Sequence, residues 1–250
     1  MSPVKVSLVK YLNSRPFLYG LQQPSFAGKI SLSLDIPAVG AEKLKSGEVN
    51  LALIPVAMIP QIENAKIVSN YCIATEGAVQ TVCLYSYVPI GEIDIIYLDY
   101  HSRTSVQLLR ILLKEHWNVS PKLLAANPGF RNNIKGNTAG LVIGDRAIGM
   151  EDSFPFVYDL GSEWKKVTGL PFVFAAWASA HFFNEAFLET FETALQIGIS
   201  EIDKVLENCK SETPPGFDLK TYLTQNISFE FNAEKRKALA LFYEKMLCLK

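Results

Sequence analysis

Short β-prone runs alternate along this chain with segments of helical period, and that alternation most narrows what it can fold into. Near the start, "VKVSLVK" places apolar and polar residues at period two, the mark of a half-buried strand. "KISLSLDIP", "NLALIPVAMI", "AVQTVCLYSY", "IDIIYLDY", "AGLVIGDRAI" and "PFVFAAWAS" read as further strands. The third run stops at Pro55 or soon after, and Gly144 and Asp145 break the sixth. Between them, "VGAEKLKSGEV" reads as a short helix ended by Gly47. In "HSRTSVQLLRILLKEHW", Val106, Leu109, Leu112 and Leu113 fall on one helical face. The last third turns helical over about 184–209 and about 233–247, with Asn232 as the expected N-cap of the second stretch. Strands interleaved with helices predict α/β layers and mainly parallel sheets.

At 250 residues the chain suits two lobes better than one. Pro89 and Gly91, and then Gly169 and Pro171, punctuate the chain near residues 88 and 172. Read as crossovers, they make 89–172 an inserted lobe II, with 1–88 and 173–250 forming a discontinuous lobe I. A ligand cleft is then expected at the lobe interface.

Several function classes are disfavoured at once. A net charge of −1 with scattered Lys and Arg is a poor footprint for nucleic acid. No apolar run has membrane-spanning length, and the N-terminus lacks the pattern of a secretory signal, so a cytoplasmic protein is expected. The four cysteines show no CxxC spacing and the three histidines no HExxH pattern, so neither a metal nor a redox pair is suggested.

Polar residues gather at the ends of the apolar elements. "YLNSRP", residues 11–16, follows the first strand and carries Asn13, Ser14 and Arg15. Ser102, Thr104 and Ser105 open the amphipathic helix, where free N–H groups and the dipole favour an anion. They form either a carboxylate cradle or an ordinary N-cap. Asp145 and Arg146 either pair with each other or address a polar ligand, and Thr81 offers a hydroxyl in an otherwise apolar strand. His101 is the nearest histidine to this set, while Trp164 and Trp177 read as packing residues.

Taken in order, "YLNSRP", "ALIPVA", "GAVQTVCLYS", "HSRTSVQLLRILL", "LVIGDRAI" and "DLGSEWKKVTGLPFVFAAWA" resemble the chorismate dehydratases of the futalosine route to menaquinone. The resemblance covers residues 4 to about 180, more loosely beyond. Lys10 departs from it, standing where a small polar residue is more usual. It implies a periplasmic-binding-protein-like fold of the second type, with two α/β lobes and a cleft. It implies a lyase that removes water from chorismate, with no cofactor and no metal. On this resemblance Asn13 belongs to the active site, Ser102, Thr104 and Ser105 to one substrate carboxylate, and Arg15, Thr81 and Asp145 to further polar contacts. The proton acceptor is either the enolpyruvyl carboxylate of the substrate or His101. A solute receptor of the same fold and 1,4-dihydroxy-6-naphthoate synthase are the alternatives; the Ser-Pro-Cys-Pro-Asn type motif expected of the latter is not matched by "YLNSRP".

Overall fold

The computed structural model describes residues 3–249. Its strands, in chain order, are β1 (Val4–Val9), β2 (Ile30–Asp35), β3 (Leu51–Pro55), β4 (Lys66–Thr75), β5 (Val82–Ser86) and β6 (Ile95–Leu98). They continue as β7 (Lys122–Ala125), β8 (Thr138–Ile143), β9 (Phe156–Asp159), β10 (Phe172–Ser179) and β11 (Ser228–Glu230). The helices are α1 (Arg15–Leu21), α2 (Pro37–Lys45), α3 (Thr104–Glu115), α4 (Leu160–Thr168), α5 (Glu185–Ser200), α6 (Ile202–Cys209), the single turn α7 (Leu219–Thr221) and α8 (Ala233–Leu247). Among the described residues no helix is long and apolar enough to cross a membrane.

Two compact units emerge. The first comprises residues through Ala74 together with Val173–Asn232; the second comprises Thr75–Phe172 and the chain from Ala233 onward. The first chain passage therefore lies at residues 74/75, not near 88. The reason is β5, which pairs with β8 and β9 in the second sheet. The C-terminal helix also differs from the expected lobe I assignment. On α8, Phe242 meets Trp164 edge-on at 6.4 Å and Phe172 at 5.1 Å, which anchors that helix in the second unit.

The first unit holds a six-stranded sheet in the order β11-β4-β10-β3-β1-β2. The second holds five strands in the order β7-β6-β8-β5-β9. Both sheets are mixed, which corrects the expectation of mainly parallel pairing. β1 runs parallel to β2 and β3, and β6 parallel to β7 and β8. By contrast, β10 is antiparallel to β3, and β5 is antiparallel to β8 and β9. β5 and β10 are the strands laid down as the chain passes between units. They enter without a helical crossover from a strand of the same sheet, so the rule that makes βαβ neighbours parallel does not bind them.

One helix contact in the first unit bears on the site. α1 crosses α5 with backbone against backbone. A Cβ at Gly20 would lie 1.8 Å from the carbonyl oxygen of Ala194, and one at Gly198 would lie 1.7 Å from that of Pro16. Only glycine admits such an approach. The same crossing explains why α1 forms although it is short and carries both Pro16 and Gly20: the tertiary contact outweighs weak local propensity.

Candidate active site

In the first unit, "YLNSRP" folds as a 3₁₀ turn over Leu12–Ser14 that runs directly into α1, with Pro16 in the helix's first turn. The three polar residues meet different fates. Ser14 is buried, and its hydroxyl donates to the carbonyls of Val9 and, at 2.8 Å, Tyr11, closing the turn. Arg15 directs Nη2 to the Glu212 carboxylate and, at 3.4 Å, to the Lys10 carbonyl. It is therefore an ion-paired residue, and its Nε is buried without a partner among the described residues. Asn13 alone has no engagement: its Oδ1 is buried and accepts no hydrogen bond among the described residues. Such a group costs about 1–3 kcal/mol. An orphan of this kind in a native fold calls for a specific reason, and a ligand is one.

In the second unit the remaining candidates collect at one edge of the sheet. β6 and β8 are parallel and β5 is antiparallel to β8, with Val82 opposite Ile143. The C-terminal ends of β6 and β8 and the N-terminal end of β5 thus share an edge, the side on which open α/β sheets bind ligands. α3 starts there. Ser102, Thr104 and Ser105 are all buried at its first turn. Ser102 Oγ accepts from the Ser105 N–H at 3.1 Å, so this hydroxyl, one residue ahead of the N-cap Arg103, already satisfies one free N–H of the first turn. The Ser105 hydroxyl has no partner among the described residues.

Thr81 is buried beside the same edge, and its carbonyl accepts from the Gly144 N–H at 2.8 Å. Gly144, at φ +67°, opens the turn Gly144–Ala147 that carries half-buried Asp145. The segment before Thr81 is held by Asp159, whose carboxylate accepts from Val79 N–H at 3.0 Å, Gln80 N–H at 2.7 Å and Ser162 N–H at 3.0 Å. Burial pushes the Asp159 carboxyl above its ordinary range, against the pull of those N–H bonds. Burial likewise pushes the neighbouring Cys83 thiol up, the opposite of what a reactive thiolate needs.

A second buried carboxylate stands at this edge without a local sequence signal. Arg146 pairs with Asp99, at 2.6 Å to both oxygens. Asp99 is 1% exposed and lies just past the end of β6. The only trace in the sequence was an Asp closing the apolar run "IDIIYLDY". Its neighbour Tyr100 lies under the Arg146 guanidinium, 5.2 Å from the ring centre, and meets the His101 ring edge-on at 4.4 Å.

A family model described as menaquinone biosynthesis matches residues 4–247. The chorismate dehydratase of Thermus thermophilus is 29% identical over 196 residues, which is 71% of this chain and 70% of that protein. Among solved structures, protein AF1704 of Archaeoglobus fulgidus superposes with a TM-score of 0.75 at 15% identity, over 99% of this chain and 97% of its own. The periplasmic aliphatic sulphonate binding protein SsuA of Escherichia coli gives 0.62 at 15% identity, over 100% and 94%. Structural likeness at such identity speaks for the fold, and the fold is periplasmic-binding-protein-like, as expected from the sequence. Because the family model spans all but the ends of the chain, the protein belongs to the menaquinone-biosynthesis family.

Proposed function

We propose that the protein is a chorismate dehydratase, converting chorismate to 3-[(1-carboxyvinyl)oxy]benzoate and water. The observation that carries this reading is the buried, unpartnered amide oxygen of Asn13, in the stretch on which the family resemblance is most specific. The similarity to the Thermus thermophilus enzyme supports the same substrate.

The chemistry asks little of a side-chain base. Loss of the C3 proton leaves a carbanion conjugated through C1=C2 to the ring carboxylate. Expulsion of the C4 hydroxyl then makes the ring aromatic. No electrons are gained or lost overall, and aromatisation supplies the driving force. The protein's task is to hold two carboxylates, favour the developing charge and exclude competing rearrangements. Asn13 positions the ether or the leaving hydroxyl. Ser105 and the first N–H groups of α3 take one carboxylate, with Ser102 holding that turn and Thr104 beside it. Thr81 and Asp145 add polar contacts, whereas Arg15 first has to leave Glu212. The enolpyruvyl carboxylate of the substrate takes the C3 proton, with His101 the side-chain alternative.

The test is incubation of the purified protein with chorismate alone, followed by ultraviolet absorbance and mass analysis. Appearance of an aromatic product lighter by one water is expected. Binding without conversion would indicate a solute receptor and overturn the reading. A finer expectation concerns Ser105→Ala. A hydrogen bond to a charged group contributes about 1.5–3 kcal/mol, so affinity for chorismate should fall tenfold or more in titration calorimetry. Unchanged affinity with a lower melting temperature would reduce Ser105 to a helix-start residue.

A further inference from the structure

Asp99 gathers more bonds than its place in a loop requires. One oxygen accepts from the His101 N–H at 2.9 Å, an ordinary Asx turn. The other accepts from the Ile143 N–H at 3.0 Å, at the end of β8. Both face Nη2 of Arg146 at 2.6 Å. Its own carbonyl accepts from the Ser102 N–H at 3.1 Å. One buried residue thus ties the loop leading into α3 to the turn that follows β8. The loop carries Ser102 and leads directly to Ser105 in the first turn of α3; the turn after β8 carries Asp145.

We infer that Asp99 is a positioning residue of the substrate site, locking the α3 anion cradle and the Gly144–Ala147 turn into one rigid edge. This rests on the dehydratase reading for what the edge binds, but not for the coupling itself. A carboxylate is suited to the post because it accepts on every side and donates nothing. Asparagine is the same size, yet in either orientation its NH2 has to face the Arg146 guanidinium, together with the His101 N–H or the Ile143 N–H, donor against donor. The loss is therefore in alignment, and a misplacement of about 1 Å costs on the order of a hundredfold in rate.

The experiment compares Asp99→Asn with the parent by amide hydrogen exchange and by chorismate kinetics well below the melting temperature. Exchange in 101–105 and in 143–147 is expected to rise together, with β1 and α5 unchanged. kcat/KM is expected to fall about a hundredfold, the greater part through KM because the cradle binds a carboxylate. Arg146→Gln should repeat the effect more weakly and Arg146→Lys should restore most of it; this pair also decides the matter if Asp99→Asn does not fold. Faster exchange in 101–105 alone would overturn the coupling. A variant with a lower melting temperature but the parent's KM and kcat would make Asp99 merely structural and overturn the positioning role. A parent that does not convert chorismate would sink the dehydratase reading instead, and the exchange pattern alone would then decide on Asp99.

Discussion

Asn13→Asp is expected to lower chorismate turnover by about two orders of magnitude, the cost of losing one preorganised donor, while circular dichroism stays that of the parent. The two side chains have the same shape. Aspartate replaces the amide NH2 by an oxygen and places negative charge where Oδ1 is already buried without a donor. The substrate brings two carboxylates of its own, so repulsion adds to the lost bond. An unpaired buried carboxylate raises its own pKa, because burial disfavours the charged form. The protonated form regains a donor, so the variant's rate should recover in part as pH falls, relative to the parent. Single-turnover conversion across pH measures this. A variant running at the parent's rate would leave "YLNSRP" as a turn and remove Asn13 from the mechanism.

Gly198→Ala is expected to destabilise the protein by about 3 kcal/mol, read as a lower urea midpoint at constant slope. In an exposed helix the same change would stabilise by about 1 kcal/mol. Here the added methyl would sit 1.7 Å from the Pro16 carbonyl oxygen, and that obstacle is backbone, not the tip of a flexible side chain. α1 has to move, and with it the turn that carries Asn13. Turnover should therefore fall in the folded variant as well. Gly20→Ala, aimed at Ala194 across the same crossing, should behave alike, and the double variant should lose less than the sum because the first change already separates the helices. A Gly198→Ala protein as stable as the parent would show that α1 is free to shift.

How much of this was readable in advance follows from range. Period-two alternation marked β1, and one apolar face marked α3, because both patterns are local. α1 went unread, since a helix of seven residues with a proline and a glycine has no local support. β7, β9 and β11 are three or four residues long and too short to show a period. The destination of β5 was hidden for a different reason: its pattern says strand but not whose neighbour. Among the candidate site residues, Asn13 and the α3 hydroxyls stand out in the sequence because each sits at the end of a recognisable element. The pairings Arg15 with Glu212 and Asp99 with Arg146 join positions 197 and 47 residues apart, and nothing local encodes them.

The order of the first sheet also fixes a timetable. β10 lies between β3 and β4, although it is made about a hundred residues later. A growing chain that has reached residue 170 holds every strand of the second sheet, in one unbroken stretch, but the first sheet still has a gap at its middle. Close-range pairing is quick and long-range closure slow, so the second sheet should assemble while β3 and β4 wait with open edges. Those edges invite pairing with each other or with another nascent chain. Arrival of "PFVFAAWAS" ends that exposure, which makes this apolar run the keystone of the first unit's assembly as well as part of its core.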